Sequence, residues 1–430
     1  MSEEAFDTII VGAGLAGSVA AYILAQGGAD VLVIERGNYP GSKNMTGGRL
    51  YGHSLERVIP GFAQEAPIER RVTKEKVSFM TDDSAVTLDY HNGQGQQAVE
   101  ESYTVLRGEF DQWLAGKAEE AGAQFITGIR VDKVLTRDGK VVGVEADGDE
   151  LLAKCVILAE GVNPVLGEQL GMVQPKVQAS AMAVGAKELI ELSEEQIRDR
   201  FNLSGDEGAA WLFAGSPSNG LMGGGFLYTN KSTVSLGIVA GLHHIGDTDK
   251  TVPQMLEDFK NHPAVKPLIE GGKMIEYSGH VVPEAGIHMV PKLVDDGVLI
   301  TGDAAGLCVN VGYTVRGMDL AIASGEAAAR AVLTARESND FSAKGLASYQ
   351  RMLEESFVMK DLKLYQKLPA FMENPRIFNQ YPKMVADLMQ EMFTVDGTPS
   401  QPIRKTLMKH CKEVGYLNLL KDGIKGVTAL

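Results

Sequence analysis

The turn Gly12-Ala13-Gly14-Leu15-Ala16-Gly17 constrains this chain more than any other stretch, because of what flanks it. An apolar run, Thr8–Val11, leads into it, a helical stretch, Ser18–Gln26, leaves it, and a second apolar run, Val31–Ile34, ends in Glu35. The pattern predicts strand, tight turn, helix and strand. Gly12 permits the sharp exit from the strand, Gly14 leaves room for a pyrophosphate against the backbone, and Gly17 lets the helix approach the sheet. A helix N-terminus offers unpaired N–H groups and a favourable dipole to an anion. Glu35, at the end of the second strand, can accept both hydroxyls of a ribose. Together these residues predict a dinucleotide site.

Composition narrows the class. The chain has 430 residues, beyond the size at which one core keeps growing, so more than one subdomain is expected. A formal net charge of −15 argues against a nucleic-acid surface and disfavours contact with anionic lipid over most of the face. Cys155, Cys308 and Cys411 are too far apart for a CxxC pair and too few for a four-cysteine iron–sulfur site. No signal-peptide pattern and no membrane-length apolar run is visible, so a cytoplasmic protein is expected.

Beyond Glu35 runs a glycine-rich loop, 36–50, which either brings backbone amides, Gly48 among them, close to a flat ligand or is a surface loop. Residues 76–90 read as a hairpin about Asp82-Asp83-Ser84. A helix is expected over Glu109–Ala121, burying Phe110, Trp113, Leu114 and Ala118. Residues 122–134 read as a strand pair, and Ala153–Ala159 as a buried strand closed by Glu160 and Gly161. From 180 to 285 strands prevail, including Leu221–Tyr228 and Thr233–Gly241, with a short helix at Val252–Lys260. Val298–Thr301 then ends in Gly302-Asp303, and a small-residue helix follows from Gly317. An Asp at the C-terminal end of a strand sits where open α/β sheets bind ligands, and it could accept a ribityl hydroxyl.

The glycine turn, the strand end at Glu160-Gly161 and the segment Ile300–Gly306 together resemble FAD enzymes of the glutathione-reductase/aromatic-hydroxylase structural class. More narrowly, Lys43–Tyr51, Met222–Thr229, Val315–Ala321 and the stretch from Asp422 to Val427 resemble the FixC-like branch of the electron transfer flavoprotein:quinone oxidoreductase family. The resemblance implies an α/β fold. It consists of a discontinuous Rossmann-like FAD-binding domain (1–75, 101–175 and 286–345), an inserted sheet-rich α+β substrate or quinone domain (76–100 and 176–285) and a helical C-terminal region (346–430) for docking a partner. It implies that Gly12, Ala13, Gly14, Leu15, Ala16 and Gly17 hold the pyrophosphate, Glu35 the ribose and Arg36 the adenine edge. Arg107 would lie over the phosphate or ribityl region, Val131 would pair its backbone with adenine, and Asp303, after Gly302, would bind the ribityl chain. The helix beginning at Gly317 and Met318 would aim its positive end at the flavin. A flat ring would approach along the glycines of Met222–Tyr228.

Mitochondrial-type members carry a four-cysteine iron–sulfur domain at the C-terminus, whereas only Cys411 lies in that part of this chain. The family context therefore implies a separate small ferredoxin-like protein, a two-subunit electron transfer flavoprotein and a quinone as partners. In the tail, Ile403, Leu407, Cys411, Val414 and Leu417 recur at helical spacing, with Arg404, Lys405, Lys409 and Lys412 elsewhere around the helix. Such a basic amphipathic helix covers the core, meets an acidic partner or rests on a membrane at its inner face. His243 and His244 adjoin without HxxxH spacing or a local carboxylate pattern, so no metal is expected. No nucleophile elbow or acid–base dyad is present, consistent with a cofactor that carries the chemistry. Two other functions fit the same scaffold: a stand-alone FAD-dependent reductase or monooxygenase, geranylgeranyl-reductase-like, and a flavin-binding assembly or sensor subunit that does not turn over.

Overall fold

The structure is a computed structural model that describes residues 5–44, 47–92, 100–174 and 179–430; Met45 and Thr46 of the expected cofactor loop lie outside them. It forms two compact units. The first comprises the described residues of Met1–Glu69, Gln96–Ala181 and Pro283–Leu364, the second those of Arg70–Gly95, Met182–Val282 and Tyr365–Leu430.

The first unit is built on a sheet ordered Val294–Asp295, Val298–Ile300, Asp149–Leu158, Phe6–Val11, Val31–Glu35 and Gln124–Thr127. Along this order every pairing is parallel except the first, and Asp149–Leu158 also pairs antiparallel with Lys140–Ala146. A parallel sheet covered on both faces demands near-continuous apolar strands, and Ile9, Ile10, Val31 and Val33 are fully buried. Helix Leu15–Gln26 packs with helix Arg107–Glu120 and helix Met318–Ser338. Leu15, Val19, Phe110, Leu114 and Ile322 meet there in one apolar cluster with Leu50, Leu55, Phe62, Tyr103 and Val105.

The second unit is a mainly antiparallel sheet, ordered Lys273–Pro283, Met182–Glu191, Thr233–Gly241, Gly223–Thr229, Glu207–Gly215 and Ile68–Met80, with Ala85–His91 hairpinned onto the last. Glu207–Gly215 and Ile68–Met80 run parallel. Helices Glu194–Phe201 and Val252–Asn261 cover one face, burying Phe201 and Phe259 against Trp211, Phe213 and Leu236. Both helices begin in capping boxes, Ser193 with Gln196 and Thr251 with Gln254. Arg70, 1% exposed, has its donors satisfied by the carbonyls of Asn230, Gly205, Glu207 and Lys231, with the Glu194 carboxylate 3.7 Å from its guanidinium.

Four expectations need correction. Gln124–Thr127 and Val131–Arg137 are both strands but not a pair: the first lies parallel to Val31–Glu35, the second joins Lys140–Ala146. Trp113 is only half-buried, because the inward face of its helix is filled by Phe110, Asp111, Leu114, Ala115 and Ala118. The region 346–430 is not one body: its helices up to Leu364 belong to the first unit and the rest to the second. The tail helix ends at Val414, where Gly415 adopts φ +92°, and a second helix, Tyr416–Ala429, begins. The first of these helices buries Thr406, His410 and Val414, leaving Ile403 63% and Leu407 46% exposed. Glu391 explains that choice of face, since it accepts from the Thr406 hydroxyl, Lys409 Nζ and His410 Nε2.

Candidate functional site

The glycine turn has the geometry that its sequence predicts. Gly12 sits at φ +103°, and a Cβ there would lie 2.3 Å from the Ala159 carbonyl oxygen. A Cβ on Gly17 would lie 1.9 Å from the Gly12 oxygen, so the helix can cross the strand only as glycine. At Gly14 a Cβ would meet nothing within 4 Å. Open space beside Gly14, with no side chain capping the helix it precedes, is the cradle a pyrophosphate requires. Leu15 and Ala16 open that helix as buried residues. Glu35, 9% exposed, ties the turn together: its carboxylate accepts from Ala13 N at 2.9 Å and Gly37 N at 2.6 Å.

The other strand ends lie in the same unit. Glu160 accepts from Leu166 N at 2.8 Å and Gly167 N at 3.1 Å. Burial outweighs those two amides and pushes its carboxyl up to about 7. Gly161 takes φ +74°, and exposed Arg36 lies close enough to Glu160 to act on its charge. Val131 heads its strand opposite Ala146. The Gly302 amide donates to the Ser324 hydroxyl at 3.1 Å, which docks the Gly302–Ala305 turn onto helix Met318–Ser338. Arg107 grips Asp111 with Nε at 2.7 Å and Nη2 at 2.8 Å, and Asn44 donates to the same carboxylate. Burial disfavours the Arg107 charge, but Asp111 and then Asp303 outweigh it, so the structure brings Arg107 and Asp303 within electrostatic reach. Gly48 and Met318 also converge, since a Cβ on Gly48 would stand 3.4 Å from Met318 Sδ. The glycines of Met222–Tyr228 have a packing reason of their own: a Cβ on Gly223 or Gly224 would lie 2.1 Å from a carbonyl of a neighbouring strand, and one on Gly225 would strike Phe259.

Sequence reasoning missed a charged cluster at the start of helix Met318–Ser338. Asp319, fully buried in the first turn, accepts from Arg316 Nη2 at 2.6 Å and lies 3.0 Å from His53 Nε2. Arg316 also donates to Asp361 at 2.6 Å and lies over the Phe357 ring, 5.3 Å from its centre. His53, Phe357 and Asp361 are distant in the chain from Arg316 and Asp319, so only the segment Val315–Ala321 hinted at it.

Two grips in one unit, the glycine turn with Glu35 and the Gly302-Asp303 turn with Arg107, suit an extended flavin dinucleotide. Residues 100–331 match the FAD dependent oxidoreductase family and residues 10–64 an NAD(P)-binding Rossmann-like domain. The protein is an FAD-dependent oxidoreductase, and the cofactor supplies its electron-transfer chemistry when bound. Residues 368–430 match the ETF-QO/FixC family C-terminal domain, and the chain belongs to that family. It is 64% identical to Protein FixC of Salmonella typhi and 63% identical to the probable electron transfer flavoprotein-quinone oxidoreductase YdiS of Escherichia coli K12, each over 100% of both chains. A geranylgeranyl bacteriochlorophyll reductase-like protein of Thermoplasma acidophilum shares the fold. Its TM-score is 0.72 at 22% identity, over 96% of this chain and 99% of that one.

One half-buried acid of this unit gives a pH prediction. Burial pushes the Glu284 carboxyl from its ordinary 4.5 up to about 7, and Asn310 Nδ2 at 3.2 Å only partly offsets this. The folded state therefore holds a proton that the unfolded chain releases between those values, and stability falls as pH rises through that window. Glu284→Gln, neutral at every pH, is expected to raise Tm by a few degrees at about pH 8.5 and to change it little at about pH 4.5. Thermal melts at both pH values check this; an equal shift at both would contradict it.

Proposed function

We propose that the chain takes electrons from a two-subunit electron transfer flavoprotein and passes them to a quinone, with a separate ferredoxin-like iron–sulfur protein in the same path. The observation that carries this reading is the 63% identity, end to end, with a relative named for that activity. Cysteine chemistry supports the separate iron–sulfur partner. All three cysteines are free, burial pushes the Cys155 thiol up to about 12, and Cys308 is likewise driven well above its ordinary range. Three cysteines are one short of the four that an iron–sulfur cluster takes. The test is anaerobic mixing of the FAD-loaded chain with reduced electron transfer flavoprotein, followed by a quinone analogue. Flavin reduction and then reoxidation by the quinone are expected; absence of the first step sinks the proposal.

Contact with a membrane surface, where a lipid-soluble quinone resides, belongs to the same reading. No helix among the described residues is long and apolar enough to cross a membrane. Helix Tyr416–Ala429 instead carries its apolar stripe outward: Leu417, Leu420, Ile424 and Val427 are 82%, 62%, 58% and 82% exposed, while Asp422, Gly426 and Ala429 face inward. Lys421 and Lys425 flank the stripe. An outward apolar stripe with lysines beside it suits shallow insertion among anionic headgroups. The double variant Leu420→Asp, Ile424→Asp is expected to lower binding to phosphatidylglycerol vesicles by at least about tenfold, since two side chains of this size each contribute about 1.5–3 kcal/mol when buried. Unchanged co-sedimentation of the variant would count against this surface.

A further inference from the structure

His243 and His244 occupy a short 3-10 segment, Leu242–Asp247, after strand Thr233–Gly241. The turn holds their rings tilted by 40° with centres 3.9 Å apart, and both Nε2 atoms converge on one oxygen of Glu373, at 3.0 and 2.9 Å. Glu373 caps helix Leu368–Met372 in the same unit, so the carboxylate absent from the local sequence is supplied by the fold. His244 Nδ1 meets Asp247 at 2.8 Å. A histidine that donates Nδ1–H to a carboxylate presents a lone pair at Nε2, the outer-shell arrangement common to metal-ligating histidines. That lone pair would then face a carboxylate oxygen at hydrogen-bond distance, a contact that is favourable only with a proton or a metal ion between them.

We propose that His243, His244 and Glu373 bind one divalent transition-metal ion of the zinc type, with water as the fourth ligand. Two imidazoles and a carboxylate match the donor set of zinc sites that keep an open position. Ligand atoms on a zinc tetrahedron stand about 3.3 Å apart, from bond lengths near 2.0–2.1 Å. The three ligand atoms here lie within 4.8 Å of one another, so small side-chain rotations close the site without backbone movement. Charge balances as well, because Glu373 and Asp247 offset the two positive charges of the ion. His243 Nδ1 is buried with no hydrogen-bond partner, so His244, oriented by Asp247, is the stronger ligand. The ion would fasten the C-terminal segment to the end of the sheet.

The FAD-loaded full chain, stripped with a chelator, is titrated with zinc sulfate while bound metal and Tm are measured. One ion per chain and a zinc-dependent rise in Tm are expected. His244→Asn and Glu373→Gln should each weaken binding by at least about a hundredfold, and Asp247→Asn by about ten- to a hundredfold. An unchanged far-UV circular dichroism spectrum together with retained flavin absorbance shows that each variant is folded. The proposal is overturned if the wild-type chain takes up no zinc, meaning that a proton bridges the contact. It is equally overturned if the double variant His243→Asn, His244→Asn binds zinc as tightly as the wild type, meaning that the ion sits elsewhere, for instance at Asp387, His410 and Glu413.

Discussion

Gly17→Ala is expected to yield a chain that retains no FAD, visible as loss of flavin absorbance in the purified protein. The added Cβ would lie 1.9 Å from the Gly12 oxygen and 3.3 Å from Ile10 Cγ2. Neither neighbour can yield. Gly12 N donates to Ile34 O at 2.8 Å, which locks it to the second strand, and Ile10 is fully buried in the central one. Relief requires helix Leu15–Gln26 to lift from the sheet, yet that helix is also fixed from its other side, where a Cβ on Gly325 would stand 2.3 Å from the Ala16 oxygen. Overpacking in cores typically costs about 1–3 kcal/mol, and a backbone clash on both sides belongs above that range. The helix N-terminus and the amides at the turn would shift together, so pyrophosphate binding fails along with stability. Gly14→Ala is the control. Its Cβ meets no protein atom within 4 Å, so the apo chain should keep its Tm while FAD affinity falls. A Gly17→Ala protein that purifies yellow and melts like the wild type would refute this reading of the turn.

The first strand, turn, helix and Glu35 were legible because each acts locally: the apolar run, the glycines and the acid lie within one βαβ unit. Gly302-Asp303 was legible for the same reason, as a strand end beside small residues. The tail was not. Periodicity marks Ile403, Leu407 and Leu417 as an inward face, but burial there is decided by polar partners far along the chain. Asp422, 4% exposed, accepts from Arg376 at 2.6 and 2.8 Å and from the Tyr381 hydroxyl at 2.5 Å, and these bonds hold its carboxyl well below the ordinary range. A helix fixed by a buried carboxylate turns its leucines outward, the reverse of what hydrophobic spacing implies. The metal-type cluster escaped for a related reason: two adjacent histidines carry no ligand spacing until the fold brings Glu373 to them.

Arg316→Met is expected to be the most destabilising charge change in the first unit. Arg316 joins two carboxylates, Asp319 at 2.6 Å and Asp361 at 2.6 Å, and Asp319 is fully buried. Burial works against the guanidinium charge, but the two aspartates outweigh it and hold the group above its ordinary range. Methionine keeps much of the packing against Tyr51 and Phe357 and removes only the charge. The Asp319 carboxylate would then keep His53 alone, one of its oxygens being buried without a hydrogen bond already. Breaking a buried pair from one side typically costs about 3–5 kcal/mol, because the remaining charge stays desolvated. For a chain of 430 residues that corresponds to a Tm drop of about 3–6 °C. FAD retention is the second readout, since Gly317 and Met318, expected cofactor contacts, lie in the same turn as Asp319. Arg316→Met with Asp319→Leu should recover part of the loss, because removing both charges ends the desolvation cost. Equal Tm values for the single variant and the wild type would show that the pair contributes nothing. A double variant less stable than the sum of both single changes would show that Asp319 is retained for reasons other than Arg316.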